Sequence, residues 1–178
     1  MDFKNANELL ALCEEKNLPI SEIMRIREIE LGETASEIVN KKMTRVLGIM
    51  KDAAFSPIRQ PVKSMGGLIG GEARKLSLHA QEKRGLCGEL LQKAVTYAMA
   101  TLETNASMGL IVASPTAGSA GIVPGLLLAM QEHYDFSDEE IIQVLFNASA
   151  IGYLAMRNAT VAGAVGGCQA EVGVASAM

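Results

Sequence analysis

Hydrophobic residues recur every three to four positions over most of the chain, a spacing that is typical of amphipathic helices. The pattern predicts a first helix from near Asn7 to the residues before "NLP". A second helix, with Ser21 as its N-cap, is predicted to run to about Glu30. After a break at Gly32, a third helix has one apolar face, which consists of Ile38, Val39, Met43, Val46, Leu47 and Met50.

The second half of the chain shows the same period. Helices are predicted over residues 88–103, through "IVPGLLLAMQEH", and after Ser137, which has capping-box spacing to Glu140. A last helix begins at about Asn158 and includes Cys168. The short run "LIVA" fits either a strand or an extended entry to a helix. Because strand signals are too few for a sheet, we predict a mainly α fold with residues 1–178 in a single helical domain.

Two glycine-rich stretches interrupt the helical pattern. Residues 55–76, "FSPIRQPVKSMGGLIGGEARKL", are predicted to be irregular, with Lys63 and the glycines as a possible carboxylate site or as a flexible surface loop. Residues 113–125, "ASPTAGSAGIVPG", offer three hydroxyls before a predicted helix start, where N–H groups and the helix dipole favour an anion. The alternative is a tight turn and cap with no ligand. The Lys-Ser/Thr ending of a phosphate-binding P-loop is absent.

Charge and composition narrow the class of protein. The net charge of −4 and the aromatic content of 4% without Trp argue against a nucleic-acid partner. Fifteen of the 16 Lys and Arg residues precede Ala94, so we interpret the first half as a helical shell and the second as buried core. Residues 104–131 carry no charge, but their two prolines and four glycines favour a buried loop and helix over a membrane span. The N-terminus lacks a signal peptide, which predicts a cytoplasmic protein.

The cysteines and histidines form no ligand pattern of their own. Cys13, Cys87 and Cys168 lack zinc-like spacing, and Cys13 lies on an apolar helical pattern, which predicts a core thiol. Cys168 follows two glycines, so it is either a small buried hydrophobe or a ligand to a bulky metal group. His79 and His133 lie in unrelated charged segments.

Three motifs together resemble one enzyme family. "NASMGLIVASPTAGSAGIVPG", "ATVAGAVGGCQAEVG" and "KSMGGLIGGEARKL" are similar to signatures of the α subunit of the iron–sulfur-dependent L-serine dehydratases, also called L-serine ammonia-lyases. The likeness extends from about residue 20 to the end of the chain, with the motifs in the same order.

This resemblance implies a lyase of amino-acid catabolism and gluconeogenesis that converts L-serine to pyruvate and ammonia. The implied cofactor is a [4Fe–4S] cluster that acts as a Lewis acid in the β-elimination, with Cys168 as one ligand. The implied partners are a β subunit and further copies in a homo- or hetero-oligomer. The resemblance assigns no catalytic base. It places five residues at the substrate site: Ser114, Thr116, Ala117, Gly118 and Ser119. We add Lys63 and Ser64 of the "KSMGGLIGG" loop as further candidate substrate contacts.

The chain departs from the family at one point, because it lacks the further ligand cysteines that follow the "GGCQAEVG" motif in family members. We therefore expect a C-terminally truncated α-subunit portion that is inactive by itself, with residues 162–178 frayed or packed against another copy. We also expect Ser114, Thr116 and the Gly118 amide to share a cavity with Cys168. The alternatives are an L-cysteine desulfidase-type lyase and a non-catalytic helical fragment that binds a partner.

Overall fold

The computed structural model of the chain describes residues 1–82 and 85–178. These residues form eight α-helices and no β-strand, which confirms the mainly α fold. The helices are α1 (Ala6–Lys16), α2 (Ile20–Leu31), α3 (Ser36–Arg59), α4 (Glu72–Glu82), α5 (Glu89–Ala106), α6 (Ile122–Tyr134), α7 (Asp138–Asn158) and α8 (Gly163–Ala177). Two compact units result, one of residues 1–47 and 138–178, the other of residues 48–137. The single domain stays a prediction.

The start of α2 differs from the sequence-based prediction. Pro19, and not Ser21, is the N-cap, and its carbonyl accepts hydrogen bonds from the amides of Glu22 and Ile23. Proline serves here because its fixed φ suits the extended cap conformation. Ser21 instead lies buried in the first turn of the helix.

The irregular segment is shorter than predicted, because α3 continues through Pro57 to Arg59 and α4 already begins at Glu72. A proline inside a helix lacks the N–H that would bind the carbonyl four residues earlier, here that of Ala53. The Thr104 hydroxyl donates to that carbonyl at 2.8 Å, which replaces the missing hydrogen bond. The helix therefore tolerates Pro57 because another element supplies the donor.

The first unit has a core drawn from both ends of the chain. Phe3, Leu9, Ile23 and Met24 form one buried cluster with Ala150 of α7. The prediction that the first half is only a shell is wrong, since each helix buries its own apolar face whatever the charge on its outer side. Arg27 is also buried there, with its guanidinium 3.9 Å from the Tyr153 ring centroid and 2.8 Å from an Asp2 carboxylate oxygen.

The last helix, α8, is interrupted at Gly167, whose φ of 72° and ψ of 176° belong to a region that is essentially restricted to glycine. The helix is anchored at its far end, because Ala175 is buried and Met178 lies against Gly152 of α7. The fraying expected of residues 162–178 is therefore not found. Ala175, the only buried residue of α8, and the contact of Met178 with Gly152 hold the end of this helix.

The second unit contains the close packing of α5 against α6. A Cβ atom at Gly121 would lie 2.5 Å from the Ala98 carbonyl oxygen, and one at Gly125 would lie 2.8 Å from the Ala94 carbonyl oxygen. Both glycines are buried, as are Val123 and Pro124 between them. This confirms the buried helix expected in the uncharged segment. None of the described helices combines the length and apolarity that crossing a membrane requires.

Tyr97 supplies a polar contact in this packing. Its hydroxyl donates to Glu132 at 2.7 Å, and its ring meets that of Phe55 edge-on with centroids 5.1 Å apart. Burial, the hydrogen bond to Glu132 and the negative charge of that carboxylate raise the pKa of Tyr97 above its usual value of 10.0. The neutral phenol is thus strongly favoured in the folded chain.

We expect the free energy of unfolding to fall as the pH rises above about 10, by at most about 1.4 kcal/mol per pH unit from this residue. In that range an unfolded tyrosine loses its proton while the folded Tyr97 keeps it, so the folded state binds more protons. Urea denaturation at pH 8 and pH 10.5 measures the effect. Tyr97→Phe should flatten the decrease, whereas Tyr134→Phe, a change at an exposed tyrosine, should not. Equal slopes in all three proteins would contradict the assignment.

Candidate functional site

The segment between α5 and α6 folds back on itself through its own hydroxyls. Ser114 and Ser119 are buried, and the Ser119 hydroxyl donates to the Ser114 carbonyl at 3.1 Å. The Ser119 and Thr116 hydroxyl oxygens lie 3.1 Å apart, and the Ser114 amide donates to the Thr116 carbonyl at 3.3 Å. These bonds leave Ala117 and Gly118 exposed at the tip. We call residues 113–121 the hydroxyl loop.

The hydroxyl loop leads directly into the N-terminus of α6. The Ala120 amide donates to the Ala117 carbonyl, and the Ile122 amide donates to the Ser119 carbonyl. Across the described parts of the chain, the backbone N–H groups of residues 116–119 have no acceptor. Free amides ahead of a helix N-terminus, where the dipole is positive, favour a bound carboxylate. The tight turn predicted for this motif and the anion site predicted for it are therefore compatible, because the same backbone conformation leaves the amides free.

The other loop, predicted over residues 63–71, extends over residues 60–71 in the structure, and these residues are called the glycine loop here. Its Ser64 amide donates to the Ile69 carbonyl at 2.8 Å, the Ile69 amide donates back to the Ser64 hydroxyl at 3.2 Å, and the Gly67 amide donates to the Ser64 carbonyl at 2.9 Å. Ser64 thus closes the turn, while Lys63 is exposed. Gly70 has a φ of 140°, which disfavours any residue with a side chain.

The amides where the glycine loop enters α4 bind carboxylates of the protein itself. Gly70 donates to the Glu72 carboxylate at 2.7 Å, and this hydrogen bond is the main reason why the pKa of Glu72 is lowered. The amides of Gly71 and Ala73 donate to the two carboxylate oxygens of Glu103, at 3.1 and 2.8 Å. The sequence suggests that this loop holds a ligand carboxylate, but the best placed of its amides already hold two internal ones.

One turn of α5 contacts both loops, and sequence reasoning did not find it. Glu103 binds the start of α4, Thr104 binds α3, and the Asn105 side chain donates to the Ala117 carbonyl of the hydroxyl loop at 3.1 Å. Glu103 is only 2% exposed. A sequence signal existed, because Glu103 is the only acidic residue in the chain between Glu89 and Glu132. Such an isolated acid in an apolar helix indicates a buried, partnered carboxylate.

Cys168 lies in the first unit, directly after the Gly167 kink, and its side chain is exposed. The interpretation of Cys168 as a small buried hydrophobe is therefore wrong for this chain. Its meeting with Ser114, Thr116 and Gly118 in one cavity stays a prediction. Cys13 packs partly buried against the core cluster of its unit, where burial raises its pKa, and Cys87 is exposed.

The side chains in residues 1–82 and 85–178 do not by themselves provide the ligand set of an iron–sulfur cluster. No three or more His, Cys, Asp or Glu side chains gather in these ranges to hold a metal ion. A [4Fe–4S] cluster is held by several thiolates, whereas the motif that resembles the dehydratases supplies only Cys168. No chemical step through a cluster is therefore derived for this chain.

Two cavities lie beside α5 in the second unit. One of about 660 Å³ lies between α4 and the N-terminal half of α5, and none of the residues predicted to bind substrate lines it. The other, of about 360 Å³, lies where the glycine loop meets α5, and its lining residues are Leu68, Ile69, Glu72, Met99, Leu102 and Glu103. Only the smaller one adjoins a predicted site.

In the described residues, the structure is an all-helical protein whose two irregular loops differ, because the hydroxyl loop has free backbone amides and the glycine loop binds internal carboxylates with its last ones. Residues 15–178 match the family described as "Serine dehydratase alpha chain". Because the match covers most of the chain, the protein belongs to the serine dehydratase alpha chain family, and the resemblance identified from the motifs is confirmed.

Curated relatives agree with this assignment. The chain is 44% identical over 176 residues to the "Probable L-serine dehydratase, alpha chain" of Bacillus subtilis, and 38% identical over 176 residues to the "L-serine dehydratase, alpha chain" of Peptoniphilus asaccharolyticus. It is 36% identical over 183 residues to the "L-serine dehydratase" of Helicobacter pylori. These alignments cover 99% of this chain but only 58%, 60% and 40% of the three relatives. The chain thus spans about three fifths of the two alpha chains.

Proposed function

We propose that this chain is the α-subunit portion of a cytoplasmic L-serine dehydratase, which converts L-serine to pyruvate and ammonia. Family membership over residues 15–178 supports the reaction class. The observation that carries the proposal is the hydroxyl loop, which leaves the amides of residues 116–119 free ahead of α6 while its hydroxyls are held internally.

In this proposal the hydroxyl loop binds the carboxylate of L-serine. The amides around Ala117 and Gly118 donate to the carboxylate oxygens, and the Thr116 hydroxyl lies beside them. Ser114 and Ser119 belong to the substrate site by shaping the loop, since their hydroxyls already have partners within it. Lys63 adds a positive charge on an exposed side chain, and Ser64 keeps the glycine loop closed.

Cys168 is proposed as the one cluster ligand that this chain supplies, with the other ligands drawn from outside the described residues. Its exposure after the Gly167 kink supports the proposal, because a ligand must be accessible to a group that other segments help to hold. When bound, the cluster would supply Lewis-acid chemistry at an open iron. We also propose a β subunit as partner, in a homo- or hetero-oligomer, since two of the three relatives are named alpha chains.

Turnover tests this function. We expect the native assembly, purified anaerobically through a tag on this chain, to form pyruvate from L-serine. The 178-residue chain purified alone should form none and should bind no stoichiometric cluster after reconstitution with iron and sulfide, because the described residues gather no set of ligands.

Three outcomes would count against this proposal in different ways. Sulfide release from L-cysteine without pyruvate from L-serine would identify a desulfidase. An assembly that contains no lyase activity on either amino acid would favour a non-catalytic partner-binding role. A chain that alone binds a stoichiometric cluster and turns over L-serine would show that it needs no ligand from outside.

A further inference from the structure

We propose that Glu103 is a positioning residue, which fixes the glycine loop against α5 and thereby sets the separation of the two loops at the substrate site. The expected effect on substrate binding rests on the proposed function. The contacts of Glu103 and Asn105 from which we argue all lie within the second unit. No feature of the family motifs assigns a role to Glu103.

Burial of the Glu103 carboxylate destabilises the folded state unless each of its oxygens accepts a hydrogen bond. A carboxylate that is 2% exposed must be hydrogen-bonded, because burial removes its contacts with water. Both oxygens have a partner, since Oε1 accepts the Ala73 amide at 2.8 Å and Oε2 accepts the Gly71 amide at 3.1 Å. These are two of the amides at the start of α4 that no intrahelical carbonyl satisfies. Glu103 therefore occupies the anion site of this helix N-terminus.

The partners are 30 and 32 residues away along the chain. A cap from the neighbouring residues would satisfy the same amides and leave the orientation of α4 undetermined. A carboxylate on another helix instead fixes where α4 begins relative to α5. Because Gly71 is also the last residue of the glycine loop, the bond fixes that end of the loop as well.

The same turn of α5 fixes the other loop. Asn105 donates to the Ala117 carbonyl at the tip of the hydroxyl loop, 3.1 Å away. Successive residues of a helix rise by about 1.5 Å, so the attachment points of Glu103 and Asn105 lie about 3 Å apart along its axis. Thr104 between them bonds to the Ala53 carbonyl of α3, which holds the turn itself in place. Both loops are therefore attached to the same turn of α5.

This arrangement assigns different tasks to the two loops. The glycine loop cannot offer the amides of Gly71 and Ala73 to a substrate carboxylate, because Glu103 already binds them. Its contribution is to place the exposed Lys63. The free amides of residues 116–119 remain for the carboxylate itself. A change at Glu103 should therefore weaken substrate binding by moving one loop relative to the other, with the reacting groups unchanged.

The test uses Glu103→Gln in the native assembly, with Glu89→Gln, at an exposed position in the first turn of α5, as the matched control. Glutamine keeps one oxygen acceptor but turns an NH2 group toward the second backbone amide, so one bond is lost. Hydrogen–deuterium exchange should rise in residues 64–76, whose attachment to α5 is weakened, and stay unchanged in residues 113–121, which Asn105 still holds. The KM for L-serine should rise about 10-fold, equivalent to about 1.4 kcal/mol, while kcat changes less than about threefold.

Asn105→Ala provides an independent variant in case Glu103→Gln folds poorly. Loss of the Ala117 contact detaches the hydroxyl loop from the same turn of α5, so exchange should rise in residues 113–121 and the KM for L-serine should rise as well. Unchanged exchange in residues 64–76 of Glu103→Gln would overturn the proposal, as would lower thermal stability with unchanged KM. If the unmutated assembly fails to turn over L-serine, the proposed function fails, whereas the exchange data still decide the role of Glu103.

Discussion

Replacing Cys168 by serine in the native assembly is expected to lower kcat/KM for L-serine more than about 100-fold and to remove most of the absorbance near about 400 nm. Mutations of groups that only orient metal ligands typically cost 10–100-fold, so loss of a ligand itself should cost more. The Cys168 side chain is exposed after the Gly167 kink, so the substitution removes little packing. Stability and helix content should therefore change little.

Cys87→Ser is the control for this experiment, since Cys87 is also an exposed free thiol but lies in no motif of the family. It should retain both absorbance and activity. An active, coloured Cys168→Ser assembly would refute the assignment of Cys168 as a ligand. A variant that lost helix content in circular dichroism would show instead that the side chain is needed for folding of α8.

Gly125→Ala is expected to lower the free energy of unfolding by about 2–3 kcal/mol. The added methyl carbon would lie 2.8 Å from the Ala94 carbonyl oxygen, 2.8 Å from the Ala98 Cβ and 2.9 Å from the Ala98 nitrogen. Two of these three atoms belong to the backbone of α5, so relief requires the helices to separate. The gain in helix propensity, about 1 kcal/mol, offsets only part of the cost.

Gly48→Ala is the matched control, because Gly48 also lies inside a helix but an added Cβ would meet nothing within 4 Å. This variant should be stabilised by about 0.5–1 kcal/mol, since alanine has the lower entropy cost in a helix. Urea denaturation of both variants measures the difference. If Gly125→Ala were as stable as Gly48→Ala, the close approach of α5 and α6 would be wrong.

The hydrophobic period by itself determined most of the helices. It identified α1, α5 and α6 to within about three residues, because these segments bury one face and their ends carry local signals such as the asparagine after α1. Motif likeness identified the family, which the comparison with known sequences confirmed. These inferences depend on local or strictly ordered features of the chain.

The predicted end of α3 was wrong because a residue far along the chain supplies the hydrogen bond that Pro57 lacks. Pro57 indicated an irregular segment, yet the helix continues because Thr104 donates to the Ala53 carbonyl. No pattern near Pro57 contains that information, since Thr104 is 47 positions further along the chain. Distance along the chain also explains why the first half is not a shell, because Phe3 and Ile23 share a buried core with Ala150, which the local pattern around them does not indicate.

The candidate site divides in the same way. The sequence determined which segments are glycine-rich, where hydroxyls and the cysteine lie, and that a helix begins after the hydroxyl loop. Only the tertiary structure decided which amides are free, because Glu103 reaches Gly71 and Ala73 from another helix while residues 116–119 keep theirs. Hydrogen-bond partners of backbone groups in loops depend on elements far along the chain, and the sequence does not state which of them meet.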